Sequence, residues 1–351
     1  MEESAAAKRL REEASKRVLL TDGAFGTMIQ RYNLNEAAYR GHYSLNHEQK
    51  GNNDLLVLTR PDVIDAITRA YLDAGSDIVS TNSFNANKIS QSDYQAEALV
   101  TEMNQQAAAI ARKAADEYQA RDGRPRFVAG AVGPTNKTLS LSPDVNDPGY
   151  RAITFDELRE VYAHQIAGLI AGGADFILIE TIFDTLNAKA AVMAVMQESQ
   201  RLEKEIPMMI SMTITDMSGR NLSGHSIEAF WYSIRHAKPL TIGLNCSFGA
   251  DKLRPHVKTL SALADTLLMA YPNAGLPNDL GQYDEMPETT GALIHEWAES
   301  GLVNIVGGCC GSTPDHIAAM ARAVKGYPPR KLALLRPAMR LSGLDPMIIP
   351  A

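Results

Sequence analysis

At 351 residues the chain can hold one large α/β barrel or two ordinary domains, and 45% hydrophobic with 21% charged residues suits a globular protein with a sizeable core. A net charge of −7 with no basic run argues against nucleic acid or an anionic membrane surface as the main partner. No stretch approaches the roughly 20 apolar residues of a membrane span, and residues 1–17, charged and alanine-rich, do not resemble a signal peptide.

Residues 4–17 read as an exposed N-terminal helix leading into a short strand, Val18-Leu19-Leu20. A glycine-bearing loop, Thr21 to Thr27, follows that strand, and residues 33–57 read as irregular and polar. A repeating sentence then begins. Pro61 opens a helix with Val63, Ile64, Ile67, Ala70, Tyr71 and Ala74 at helical spacing; Gly75 stops it, and Asp77-Ile78-Val79-Ser80 is a strand. The sentence recurs at 154–180, where Thr154 and Glu157 form a capping box, Gly172-Gly173 ends the helix, and Phe176-Ile177-Leu178-Ile179 is the strand. It recurs again where a helix through Ile294 and Trp297 stops at Gly301 before Val303 to Val306.

With further strands at 127–131, 208–212, 241–244 and 267–270, the count is eight, beginning near 18, 77, 127, 176, 208, 241, 267 and 303. Continuous apolar strands alternating with amphipathic helices imply a parallel sheet covered by helices. Eight such units fit a closed (β/α)8 TIM barrel over 18–326, with a doubly wound open sheet as the alternative. The tail, 327–351, carries five prolines without a clear period and reads as an extended strap or linker.

Polar residues gather after nearly every strand: Asp22, Thr81-Asn82, Gly133 to Asn136, Glu180-Thr181, Thr213 to Asp216, Asn245-Cys246, Asn273 and Cys309-Cys310. Any one of them can be an ordinary cap or turn. In a closed sheet, all would face the end where barrel active sites lie.

The chain has three cysteines, an odd count without disulfide-framework spacing, so a reducing, cytoplasmic location is expected. Each follows a strand. They can be small core residues, or Cys309 and Cys310 can form a strained vicinal disulfide. A metal site uses all three: Cys246 closes the sixth strand and Cys309-Cys310 the eighth, two strands apart in a barrel. Thiolates favour zinc, and three protein ligands with one open position is a catalytic arrangement. Three sulfurs leave such a site negative, poor at activating water but suited to a soft fourth ligand. A thiol bound there drops from its free pKa of about 8.5 and stays nucleophilic, which is chemistry for alkylating a thiol. The eight histidines form no ligand array, and His316 reads as first-turn helix. P-loop, dinucleotide-binding and nucleophile-elbow motifs are absent.

Seven motifs appear in order: Asp-Gly-x-x-Gly-Thr at 22–27, Gly-Asn-Asn-Asp at 51–54, Val-Gly-Pro-Thr-Asn at 132–136, Ile-Glu-Thr at 179–181, Gly-Leu-Asn-Cys at 243–246, Tyr-Pro-Asn-Ala-Gly-Leu-Pro at 271–277 and Gly-Gly-Cys-Cys-Gly at 307–311. The set resembles the homocysteine-binding barrel of cobalamin-dependent methionine synthase, within the homocysteine S-methyltransferase family, from about residue 17 to the end. The resemblance implies a (β/α)8 fold and Zn²⁺ held by Cys246, Cys309 and Cys310. The sulfur of L-homocysteine would take the fourth position and accept a methyl group to give methionine.

The first loop, Asp22, Gly23, Ala24, Phe25, Gly26 and Thr27, together with Glu180, would hold the amino-acid end of the substrate. Asn273 would be a displaceable fourth ligand. Where the family usually has Gly-Met, this chain has Ala24-Phe25, and a Cβ at 24 is costly if the loop needs positive φ there. No Asp-x-His-x-x-Gly cobalamin motif is present. Methylcobalamin would therefore be supplied by another module or chain, a cobalamin- and folate-binding partner. The residues from Arg340 to Pro346 look like the start of a connection to a folate domain. The alternatives are a methyltransferase using betaine or S-methylmethionine, and a non-catalytic homocysteine-binding module.

Overall fold

In the computed structural model, which describes residues 2–351, eight parallel strands form one sheet: β1 (Leu19–Leu20), β2 (Ile78–Ser80), β3 (Phe127–Val132), β4 (Phe176–Ile182), β5 (Met208–Met212), β6 (Thr241–Gly249), β7 (Leu267–Asn273) and β8 (Ile305–Val306). Each strand pairs with its sequence neighbour, β8 also pairs with β1, and a bridge from Thr21 to Ile78 joins β1 to β2. The sheet is thus a (β/α)8 barrel with helices outside, and all eight expected strands are present.

Strand periodicity sorts the core into two layers. On β4, Phe176 and Leu178 belong to the inner cluster, while Ile177 and Ile179 pack outward under the helices. On β7, Leu267, Met269 and Tyr271 point in, and Leu268 and Ala270 point out. The N-terminal helix, Ala5–Lys16, places Ala7, Leu10 and Ala14 in the inner cluster and so plugs the end where the strands begin. Strands buried on both faces are what near-continuous apolar runs require.

The capping signals are realised where expected. Thr154 and Glu157 form their reciprocal box ahead of the helix Phe155–Ala171. Thr313 and His316 do the same for the helix Pro314–Val324, where proline occupies the first turn.

Three stretches differ from the sequence reading. Phe25 to Thr27, read as the end of a loop, form the first half of a helix, Phe25–Gln30. Residues 33–57, expected to be irregular, contain short helices at Glu36–Arg40, Asn53–Leu55 and Leu56–Thr59. Within the tail, 327–337 forms neither helix nor strand, and Ala338–Ser342 and Pro346–Pro350, expected as part of an extended strap, form an antiparallel hairpin. Its prolines sit at the strand ends, where a missing N–H costs little. The hairpin rests on the helix Ile227–Ile234, Ser342 Oγ donating to Ala229 O. No helix among the described residues is long and apolar enough to cross a membrane.

Candidate active site

The inward side of β4 continues from Phe176 and Leu178 to Glu180, so strand parity alone aims that carboxylate into the barrel. At this point the register of β4 against β5 shifts between Ile179 and Ile182, and Thr181 takes a left-handed φ of 56°. A second irregularity lies on β6 between Asn245 and Gly249, where Cys246 (φ 59°) and Ser247 (φ 65°) are both left-handed. Such conformations cost about 1–2 kcal/mol for each non-glycine residue. They persist where neighbours over-determine them, and they collect at functional sites.

The restraints are visible here. Buried Asn245 accepts from Thr181 N at 3.0 Å and from Ser211 Oγ at 2.7 Å, and donates to Thr181 Oγ1 at 2.8 Å. Ser247 Oγ accepts from Ile214 N at 2.8 Å and hydrogen-bonds Thr213 Oγ1 at 2.7 Å. The strained turn therefore fixes Cys246 at the mouth of β6.

Beyond β8, Gly307 lies so close to β1 that a Cβ there would meet Thr21 Cγ2 at 2.2 Å. Gly308 N donates to Asp22 O and Cys309 N to Pro272 O, seating the two cysteines beside β1 and β7. The sulfurs of Cys246, Cys309 and Cys310 converge within 4.8 Å of one another, with 3.8 Å between Cys246 and Cys310. All three are free thiols. Left to themselves they hold protons unequally: Cys309 is pushed well up by its hydrogen bonds to the sulfurs of Cys246 and Cys310, while those two neighbours pull Cys310 down.

A cavity of about 310 Å³ opens over the sulfurs. Its lining includes Asp22, Gly23, Ala24, Phe25, Gly26, Thr27, Glu180, Cys246, Cys309 and Cys310, so ten of the eleven residues singled out in the sequence meet in one place. Asn273 does not line it. It ends β7, beside the two cysteines, where Ala274 N donates to Cys310 O. Its side chain is buried and its Oδ1 has no hydrogen-bond partner. Position 24 needs no positive φ: Ala24 has φ −70°, extended backbone open to any residue, its N–H reaches Ser312 Oγ at 3.3 Å, and its carbonyl accepts from Tyr71 Oη at 2.8 Å.

Sequence reading passed over Asn53, Asp54, Ser80 and Tyr271, which also line the cavity. Asn53, Asp54 and Tyr271 lay inside quoted motifs, the signal that could have found them. Asp22 Oδ2 accepts from Ser80 N at 2.7 Å and Ser80 Oγ at 2.8 Å, yet burial pushes its pKa up to about 6. Burial likewise pushes Glu180, which accepts from Tyr271 Oη at 2.8 Å, up to about 7. Asp54, accepting from Asn85 N at 2.8 Å, also rises to about 7 by burial.

The donor set fits a thiophilic cation. Three sulfurs lie within ligating reach of one point, and no carboxylate competes among them. Three metal-capable thiols and acidic side chains thus meet at the C-terminal mouths of a parallel barrel's strands, the end where active sites of this fold lie.

The sequence profile of the homocysteine S-methyltransferase family matches residues 19–324, and the chain belongs to that family. Solved structures of the homocysteine methyltransferase MmuM from Escherichia coli share the fold. The oxidised form superposes with a TM-score of 0.72 at 19% identity, covering 91% of this chain and 99% of that one. The metallated form gives 0.68 at 21% identity, covering 90% and 99%.

Proposed function

We propose that the chain is the zinc-dependent, homocysteine-binding methyltransferase barrel of a cobalamin-dependent methionine synthase. The observation that carries this reading is the meeting of three thiols with Asp22 and Glu180 across one cavity of about 310 Å³. Cys246, Cys309 and Cys310 would hold Zn²⁺, which when bound supplies Lewis acidity that keeps a substrate thiol deprotonated at neutral pH.

The protein's own side chains do the rest. Glu180 and Asp22 bind the α-ammonium of L-homocysteine, and the backbone of Gly23 to Thr27 receives its carboxylate. Each buried acid lacks an ion-pair partner among the described residues, so a bound ammonium answers an unmet charge. Tyr271 orients Glu180 through its hydroxyl. Asn273, its Oδ1 free of other partners, would offer that oxygen as a further ligand when substrate is absent. The substrate sulfur, its proton already lost, would take the methyl group of methylcobalamin carried by another module or chain: the S–C bond forms as the Co–C bond breaks, the electron pair stays with the corrinoid, and methionine results. The ordered motifs from Asp22 to Gly311 support this donor.

The test combines metal analysis with turnover. One zinc per chain is expected, with a further sulfur appearing in zinc-edge X-ray absorption when L-homocysteine is added. Cys310→Ala should lose zinc and methionine formation from exogenous methylcobalamin together, with its circular dichroism unchanged. Activity in zinc-free Cys310→Ala would overturn the mechanism. Turnover with betaine or S-methylmethionine alone would reassign the donor, and binding without methionine from any donor would leave a non-catalytic module.

A further inference from the structure

Beside the cavity over the thiols lies another, of about 260 Å³, and the two share Asn53, Asp54 and Asn85 as a common wall. Asp93, Tyr94 and Asn136 line its far side, and no lysine, arginine or histidine borders it. The wall is held by amides paired with one another. Gln49, Asn52 and Gln91 are at most 1% exposed. Asn52 Nδ2 donates to Gln49 Oε1 at 3.1 Å and to Gln91 Oε1 at 2.8 Å, and Gln91 Nε2 donates back to Asn52 Oδ1 at 3.0 Å. The same amides reach the backbone at Asn85 O and Tyr94 O, so segments distant in sequence are locked around the space.

Asp54 is the exception in this satisfied wall. It is 5% exposed, and its Oδ1 accepts from Asn85 N at 2.8 Å. Its Oδ2 has no donor from another described residue, and it is not sealed from the two cavities that the residue borders. A buried carboxylate oxygen without a donor carries a desolvation cost that a ligand's N–H removes. Asp22 and Glu180 already answer the single ammonium of homocysteine, which leaves Asp54 free for a different ligand group.

We propose that this side cavity is a subsite for the methyl donor, where Asp54 Oδ2 and the side-chain oxygens of Asn85 and Asn136 accept from an N–H-bearing group of that donor. The inference rests on the reading of the larger cavity as the homocysteine site. A donor must lie over the substrate sulfur, and the shared wall puts the side cavity next to that position. For a corrinoid donor the group is a primary amide, since acetamide and propionamide side chains edge the ring. For a small donor such as S-methylmethionine it is an ammonium. Both offer N–H to a carboxylate, and Asn85 and Asn136, exposed at the rim, can pair with an amide through donor and acceptor together.

The experiment compares Asp54→Asn with the wild-type full chain. The new side chain keeps an oxygen for Asn85 N and turns an amide NH₂ towards the cavity, a donor facing donors. Equilibrium dialysis with cyanocobalamin, whose upper ligand is cyanide rather than methyl, should show binding about tenfold weaker in Asp54→Asn, the loss of one charge-assisted hydrogen bond. Asn136→Leu, at the exposed rim, should weaken it severalfold without touching the buried wall. Homocysteine affinity and zinc content should hold in both variants. If the wild type ignores cyanocobalamin but turns over with S-methylmethionine, a KM for that donor raised about tenfold in Asp54→Asn supports the subsite with an ammonium in it, and only the corrinoid donor is lost. Unchanged affinity for whichever donor binds, an equal loss of homocysteine affinity, or binding of neither donor by the wild type would each overturn the proposal.

Discussion

The two ends of the barrel treat buried charge in opposite ways. Where the strands begin, charge is paired. Asp77 sits at the β1–β2 seam, its carboxylate gripped by Arg17 through both terminal nitrogens and by Arg124 Nε at 2.8 Å, and it accepts from Leu20 N at 2.9 Å. Asp175 does the same two strands on, at the β3–β4 seam, between Arg112 at 2.7 Å and Val128 N at 2.8 Å. Where the strands end, buried Asp22 and Asp54 and half-buried Glu180 meet only neutral donors, and nearby backbone holds left-handed residues at Thr181, Cys246 and Ser247. One end is arranged to hold the barrel shut. The other leaves electrostatic demands for a ligand to meet, which is where stability and function part company in this fold.

Substitutions at the two ends should therefore separate stability from binding. The largest effect is expected at Asp77→Ala, which leaves the Leu20 N–H unpaired, Arg17 with only Glu13 and Arg124 with only the Gly75 carbonyl. Arg17 and Arg124 are about one-third exposed and will partly rehydrate, so the loss should be about 2–4 kcal/mol rather than the full cost of a broken buried pair. Urea unfolding would measure it, and homocysteine affinity per folded molecule should not change. A stable Asp77→Ala protein with weakened substrate binding would invert the comparison. At the other end, Glu180→Gln should reduce homocysteine affinity at least about tenfold, roughly 1.4 kcal/mol, while zinc content and the urea midpoint hold. Unchanged affinity would show that this carboxylate does not face the substrate's ammonium.

The unpaired acids should also give the fold an unusual pH response. Burial raises Asp54 from 3.8 to about 7, so the native state takes up its proton before the unfolded chain does as pH falls. Stability from this group therefore rises as pH drops from about 7 towards 4, and its penalty is in full force above 7. Asp54→Asn removes the ionising group and should raise stability near neutral pH by about 1 kcal/mol, flattening the curve in that window. Urea midpoints across pH for wild type and variant would show converging curves. Parallel curves would mean that Asp54 is solvated or paired in solution.

The sequence made the fold legible because strands buried on both faces and helices with one apolar stripe leave different periods, and the helix–glycine–strand sentence is written at 61–80, 154–180 and 290–306. The cysteines were legible for another reason: they are rare, and each follows an apolar run. What sequence could not disclose is the backbone that brings them together. Bulges at 179–182 and 245–249 hang on hydrogen bonds from Asn245 and Ser247 rather than on glycine, so no residue type marks them. Asp54 looked like a turn residue because acids in polar loops usually are, and its burial depends on Asn85, thirty-one positions away. The hairpin at 338–350 escaped because its alternation is confined to five residues between prolines, short of the length that period-2 patterning needs.

That hairpin provides the smallest and finest test of the comparison. Arg220, on the loop after β5, pairs with Asp345 at the hairpin tip and donates to Gly224 O at 2.9 Å; Ser226 N donates to Leu344 O at 3.0 Å. The same loop begins at Thr213 and Ile214, which grip Ser247 next to Cys246. Arg220 and Asp345 are 38% and 67% exposed, so Arg220→Ala should cost only about 0.5 kcal/mol in urea unfolding. If the loop is rigid between its two anchors, metal affinity will not change. A drop in metal affinity without a matching loss of stability would show that the strained turn at Cys246 is held partly from the hairpin. The boundary between the structural and functional halves would then run through the loop after β5.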